Sequence, residues 1–228
     1  MKNILILVLL IPISIFAQVK KDAEPLNEIY ITTDIFSPFF SHYKTQNNTP
    51  RWRLGFVKNI NEKSKIGIDI GYGNTNVSLI NTGDKYSLWE IRPEYYRIIN
   101  PNRKTLKYFA VELFYINQNE QFTNQSYFNQ QNEYLDFDQA DYNRQKFGLI
   151  PKFGMFLNLS EQIGLNLYTG VGINYRINNY SNFINLRTRQ FDEEHYAPYY
   201  RKERNKIGVE FTLGMKLYYR IKTNANKT

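Results

Sequence analysis

Side chains that move protons, gather cations or grip phosphates are few in this sequence and widely spread. Histidine changes charge nearest to neutral pH, and there are two, His42 and His195. His42 follows Ser41, and His195 closes the run Asp192-Glu193-Glu194-His195. A general base acts only within hydrogen-bond reach of its nucleophile, and spacing along the chain does not place one beside the other. A lone histidine in a polar stretch is ordinarily a solvated one. Asp136, Asp138 and Asp141 are spaced oxygen donors of the kind that Ca²⁺ takes, but the stretch lacks the glycine and closing glutamate of a known calcium loop. A solvated charge run is the plainer reading, and no metal ligand is assigned. Arg187, Arg189 and the run Arg201-Lys202-Glu203-Arg204 are basic, and arginine is the bidentate partner of phosphate. There is no phosphate-cradling glycine loop, no His-Glu-x-x-His and no Gly-x-Ser-x-Gly. No catalytic residue and no cofactor-binding residue is therefore expected.

Composition narrows the classes further. The chain has 228 residues, 16 % of them aromatic, a formal charge of +8 and no cysteine. An aromatic content that high is incompatible with intrinsic disorder. Without cysteine there is no disulfide framework, no thiolate-held zinc or iron–sulfur site, no catalytic thiol and no lipidated N-terminal cysteine. A mean hydropathy of −0.54 argues against a polytopic helical membrane protein. Residues 1–17, MKNILILVLLIPISIFA, have the layout of a cleaved signal peptide: Lys2, an apolar run from Ile4 to Ile13, and Ala17 before the cut. The apolar run is short for a bilayer crossing, and the polar QVKKDAEP follows at once, which argues against an uncleaved anchor. Export makes nucleic acid an improbable partner despite a pI near 9.4. Attraction to an anionic surface is the milder inference.

From residue 28 onwards no helical period emerges, whereas period-2 alternation recurs. In 206–221 every odd position from Ile207 to Ile221 is apolar, and the even ones are Lys206, Gly208, Glu210, Thr212, Gly214, Lys216, Tyr218 and Arg220. The segment 163–177 repeats the pattern. Successive strand side chains face opposite ways, so each is a strand with one apolar and one polar, glycine-rich face. Further strands are expected at 28–40, 51–60, 65–75, 86–99, 105–119 and 144–158, making eight. Pro93 and Pro151 each remove a ladder donor and are expected to mark bulges or breaks. Three connections are short turns (61–64, 100–104 and 159–162), and the four alternating with them are long and polar (41–50, 76–85, 120–143 and 178–204). Long loops at one end and tight turns at the other, with an even strand count, predict an all-β fold: an eight-stranded antiparallel up-and-down transmembrane β-barrel. The expected organisation is a signal peptide over 1–17, a short N-terminal periplasmic segment over 18–27, the barrel over 28–221 and a C-terminal tail over 222–228.

Alternation does not say which face is inside, and a soluble lipocalin-like barrel would turn its apolar face inward. The polar face carries the glycines a narrow interior prefers. Gly71-Tyr72-Gly73 and Gly170-Val171-Gly172 belong to that pattern. The same face carries charges of both signs: Asp34, Arg53, Asp69, Glu90, Arg92, Glu94, Glu112, Lys152, Arg176, Glu210, Lys216 and Arg220. A sealed interior requires such charges to pair. On the apolar face, Phe39, Trp52, Tyr72, Trp89, Tyr115, Phe147 and Tyr175 fall toward the loop end, and Tyr95, Phe109 and Tyr219 toward the turn end. Two aromatic belts are what a lipid-exposed barrel carries. Eight strands leave an interior that side chains fill, so an open pore is not expected.

With its signal peptide, strand count, loop asymmetry and final strand IGVEFTLGMKLYYRI, the chain resembles the small eight-stranded outer-membrane β-barrels of Gram-negative bacteria, of the OmpX and OmpA transmembrane-domain type. The resemblance covers residues 28–221. Such barrels commonly end on an aromatic that the barrel assembly machinery reads, whereas here Tyr219 is followed by Arg220 and a tail. The resemblance implies residence in the cell outer membrane and contact with its lipids and lipopolysaccharide, whose phosphates the basic runs of the last long loop would meet. It also implies the assembly machinery as partner, and a non-enzymatic structural or surface-interaction role carried by the long loops, with an unidentified extracellular partner. Some barrels of this kind are lipid A deacylases or acyltransferases, which use a histidine with a serine and a carboxylate. Ser41-His42 and Asp192 to His195 are where this chain would hold such a site. A periplasmic ligand-binding barrel is the remaining alternative.

Overall fold

The computed structural model describes residues 28–40, 48–101, 103–188 and 202–222. The segments read as signal peptide and N-terminal periplasmic segment lie outside the described residues, as does the tail from 223 on.

The alternating segments form strands β1 (Glu28–Asp34), β2 (Trp52–Asn61), β3 (Ser64–Asn74), β4 (Asp84–Ile98), β5 (Thr105–Phe128), β6 (Tyr134–Asn158), β7 (Ile163–Ile184), β8 (Arg187–Thr188) and β9 (Asn205–Lys222). All their pairings are antiparallel. The order runs β5-β4-β3-β2-β1-β9-β7-β6, and β6 pairs back onto β5. Eight strands thus form a closed, up-and-down ring in which each is hydrogen-bonded on both sides, so the ring leaves no strand edge to pair elsewhere. β8 adds a two-residue strip beside the far part of β6. No helix among the described residues is long and apolar enough to cross a bilayer.

The two faces separate as the alternation predicts. Along β2, Arg53, Gly55, Val57 and Asn59 are buried inside the ring, and Trp52, Leu54, Phe56 and Lys58 point outward and are exposed. Glycines make room where strands crowd one another: a Cβ on Gly71 would meet the side chain of Glu90 at 2.5 Å. The interior is layered. Tyr30, Tyr96, Tyr108, Phe156 and Tyr218 pack together at the end with the short turns. Charged side chains fill the middle, and Tyr86, Leu88, Phe114, Ile116 and Ile150 lie toward the other end.

Two expectations change and one is narrowed. The first strand ends at Asp34 instead of reaching residue 40, because Asp34 Oδ1 accepts hydrogen bonds from the backbone N–H groups of Phe36 (3.0 Å) and Ser37 (2.8 Å). That Asx turn, followed by the 3₁₀ turn Ser37–Phe39, overrides the apolar run. The prolines mark breaks, one of the two forms expected, and no bulges. The β4–β5 pairing lapses at Arg92 and Pro93 and resumes in unshifted register at Glu94–Glu112. The β6–β7 pairing likewise lapses at Ile150 and Pro151 and resumes at Lys152–Gly170. Finally, most of 120–143, read as a loop, is strand. β5 and β6 continue as a hairpin to a tight turn over 129–133, and β7 follows them to Ile184. With β8, the described residues hold nine strands, eight of them in the ring.

Candidate functional site

Two features of the ring and its extension could carry function, and both are built by alternation. The first is the charged interior. Arg51 and Arg53 from the start of β2 reach Glu90 of β4 through their Nε atoms, at 2.7 and 2.8 Å from Oε1. Arg53 Nη1 also meets Asp34 Oδ2 at 2.9 Å, and Tyr168 donates to the same oxygen. Arg92 bridges Glu90 (2.9 Å) and Glu112 (2.7 Å). Lys152 links Glu112 to Glu94, and Lys216 links Glu94 to Asp69. Five cations and five carboxylates therefore form one continuous, neutral, buried chain. Each charge meets opposite charge and hydrogen bonds at close range, the condition under which buried ions are tolerated.

Carboxylate oxygens of Asp69, Glu94 and Glu112 come within 4.8 Å of one another, close enough to hold a metal ion. Yet the ammonium groups of Lys152 and Lys216 stand among these three carboxylates, and with Arg92 on Glu112 they already balance them. The site is a neutral strut, with its own lysines in the role a cation would play. At the turn end, Lys65 Nζ donates to Tyr30 Oη (2.9 Å) and Asn59 Oδ1 (2.6 Å), and the tyrosine cluster fills the section there.

The second feature is the extension of β5, β6 and β7 beyond the row of outward-facing aromatics formed by Trp52, Tyr72, Trp89, Tyr115, Phe147 and Tyr175, of which Tyr115 and Tyr175 are half-buried. Neighbouring members of this row touch: Trp89–Tyr115 and Phe147–Tyr175 ring centroids are 5.0 and 5.2 Å apart. Past it, Phe122, Tyr127, Leu135, Phe137, Ala140, Tyr142 and Tyr180 form a separate buried cluster with Phe183 against it. The opposite face carries a ladder of amides and carboxylates. Asn143 Nδ2 donates to Asn117 Oδ1 and Asn119 Oδ1 (2.9 and 2.8 Å). Gln121 and Asn182 donate to the two oxygens of Asp141 (3.0 and 2.7 Å). Asn185 and Arg187 donate to those of Asp138 (2.7 and 3.0 Å). Hydrogen bonds from Asn185 and Arg187 hold the Asp138 carboxyl below the usual carboxylate range, and those from Asn182 and Gln121 do the same for Asp141.

The calcium reading of Asp136, Asp138 and Asp141 gains nothing from this arrangement. Asp138 and Asp141 each face their own set of donors, and Asp136 pairs in register with Arg187 and Ser126. Arg187 serves Asp138 while remaining largely exposed. Lys202 lies over the Phe128 ring at 5.2 Å, and the Glu203 N–H donates to the Phe128 carbonyl, tying the start of the last strand to the tip of β5. The Arg204 carbonyl accepts from the N–H of Asn178. Ser41, His42, Arg189, the run Asp192 to His195 and Arg201 lie outside the described residues.

Glu120 is the functional candidate that sequence reading passed over. It is buried inside the extension, where Gln118 Nε2 donates to Oε2 at 3.0 Å. Burial pushes its carboxyl up to about 8, against the opposing pull of Gln118 and Arg144. Its signal was present in the continuing alternation Glu120, Phe122 on one side and Gln121, Thr123 on the other.

No protein-family model matches the chain, and no curated protein matches it.

Proposed function

We propose that the ring is a transmembrane β-barrel of the outer membrane, without enzymatic activity, and that the extension and loops beyond its aromatic row carry a structural or surface-interaction role. One observation carries the reading: the ring is apolar outside and charged inside. Leu54, Phe211 and Leu213 point outward with 65 %, 75 % and 81 % of their surface exposed. A soluble protein would bury such side chains, and a band of them all round a ring is the surface that lipid covers. The aromatic row at the loop end, continued at the turn end by Tyr95, Phe109, Phe153 and Tyr219, fits the two interfacial belts of such a barrel.

The interior supports a strut more than a conduit or a pocket. Its charges pair with one another, and the tyrosine cluster closes the section toward the turns. A periplasmic ligand-binding barrel would need an apolar cavity where these ion pairs sit. On this reading the barrel contacts outer-membrane lipids, with lipopolysaccharide phosphates near the exposed Arg187, and reaches its place through the barrel assembly machinery.

The test is gel mobility of boiled against unboiled protein from an isolated outer-membrane fraction. A closed barrel resists detergent until heated, so the two bands are expected to separate, with the protein in that fraction. A periplasmic protein with a single band would sink the reading. An altered lipid A profile on deletion of the gene, reproduced on replacing His42 or His195, would overturn the non-enzymatic part alone.

A further inference from the structure

The apolar outer face is not uniform. Between β2, β3, β4 and β5 it dips into a groove of about 530 Å³ lined by Phe56, Lys58, Ile66, Ile68, Tyr95 and Leu113, with Pro93 at its floor. Register sets these side chains in rows. Phe56, Ile68 and Pro93 form one row, and Lys58, Ile66, Tyr95 and Val111 the next toward the turns. The β4–β5 ladder lapses at Pro93, so the groove runs over a place where two strands are not hydrogen-bonded.

The turn end of the groove is cationic and rich in hydroxyl groups. Lys58 borders it directly, and Arg97 lies two residues beyond Tyr95 on the same face. Arg97 Nη1 donates to Ser64 Oγ at 3.2 Å, and Ser64 Oγ is 3.1 Å from Tyr95 Oη. Lys107 follows on β5, pointing outward like Phe109. Among the described residues no carboxylate pairs with Lys58, Arg97 or Lys107. A second outer groove, of about 630 Å³, lies over β5, β6, β7 and β9 at Leu113, Phe147, Leu149, Ile173, Tyr175 and Ile207. No cation borders that one, which makes it an internal control.

We propose that the first groove is a binding site for one anionic phospholipid of the leaflet at the turn end. Its acyl chain lies along Phe56, Ile68, Val111 and Leu113, and its phosphate is held by Lys58 and Arg97, with Tyr95 and Ser64 as hydroxyl partners. The proposal rests on the membrane-spanning reading above. Charge complementarity selects the occupant. An uncharged amphiphile leaves two cations unpaired at the rim and a zwitterionic headgroup sets its own quaternary ammonium beside them, whereas an anionic headgroup offers a phosphate to which each cation donates a charge-assisted hydrogen bond with no competing positive charge, and an apolar channel leading from a basic rim is the form in which lipid headgroups are recognised beside a span.

The experiment is native mass spectrometry of the full chain released from mixed micelles, with phosphatidylglycerol and phosphatidylcholine of identical acyl chains as probes. The wild type should retain one phosphatidylglycerol about tenfold more strongly than phosphatidylcholine. The double variant Lys58→Ala/Arg97→Ala should lose that preference. Val111→Trp, which fills the groove and leaves the cations, should lose the retained lipid, and Lys85→Ala, an outward cation at the loop end, should change nothing. Equal retention of the two lipids, an unchanged preference in the double variant, or displacement by glycerol phosphate alone would overturn the site. Each sample is also run boiled and unboiled. A heat shift with no lipid preference removes this site and leaves the barrel standing, and no heat shift removes both.

Discussion

The same three strands, β5, β6 and β7, build two regions with opposite insides. Up to and including the aromatic row their outward residues are apolar (Val111, Leu113 and Tyr115 on β5, Leu149 and Phe147 on β6, Val171 and Ile173 on β7), and the ring encloses charge. Above it the outward residues are Asn117, Asn119 and Gln121, then Gln145, Asn143 and Asp141, then, past Ile177, Asn179 and Ser181, while Phe122, Tyr142 and Tyr180 pack inside. No register shift accompanies the change between Tyr115 and Asn117, because β5 and β6 keep one register from Thr105–Leu157 to Thr123–Gln139. Backbone geometry is constant, and only the chemistry on each side of the pleat changes. The comparison teaches that alternation specifies the strand, and the surrounding solvent decides which set of side chains belongs inside.

Breaking the ring's interior should have the largest effect. Glu90→Ala leaves Arg51, Arg53 and Arg92 clustered without their shared carboxylate and should cost about 3–5 kcal/mol, read as a lower urea midpoint for the folded ring in detergent. In the extension the corresponding insult is apolar. Phe122→Ala should cost about 3 kcal/mol there, seen as faster amide exchange over 117–143 while the heat shift expected of the ring stays intact. If that variant also destroyed the heat shift, the two regions would be one cooperative unit. The outer faces are compared by Leu213→Arg, which should destabilise the assembled protein by at least about 2 kcal/mol in lipid vesicles, and Asn119→Arg, which should stay within about 0.5 kcal/mol. Equal effects would mean that both faces meet the same solvent.

The smallest expected effect is pH dependence confined to the extension. Glu120 titrates near 8 when folded and near 4.5 when not, so the folded form holds its proton over that window. The extension is therefore most stable below about pH 4.5, loses stability as pH rises toward 8 and levels off above. Water reaching an opened extension limits the change to on the order of 1 kcal/mol. Near-UV circular dichroism on heating at pH 5 and pH 8.5 should show this slope in the wild type and none in Glu120→Gln.

Much of the ring was legible because its signal is local. Period-2 alternation in 163–177 and 206–221 announces a strand whichever neighbour it finds, and the charges on the polar face already implied pairing. The extension was missed for an equally physical reason. In YLDFDQADYN, over 134–143, aspartates and glutamine alternate with Leu135 and Phe137, a pattern as periodic as the ring's but polar enough to pass for a solvated loop. Asp34 shows a different limit, since a single side-chain acceptor at the end of β1 stops a strand that its apolar continuation would extend. The groove proposed to hold lipid had no linear signature at all: Lys58, Ser64, Tyr95 and Arg97 come from three strands, and only their register puts them together.

The pairing of β1 with β9 joins Glu28 to Lys222, and the buried strut ties Asp34 to Tyr168 across a sequence separation of 134 residues. Closing a loop of that order carries an entropic cost of about 4–5 kcal/mol before any contact repays it, and folds built on such distant pairs form slowly. β1 can therefore pair with β2 early, but its other edge waits for nearly all the rest of the chain to supply β9. Throughout that interval both ends of the unclosed sheet are sticky edges, so the lifetime of this protein before closure, and whatever shields it then, decides how much of it ever matures.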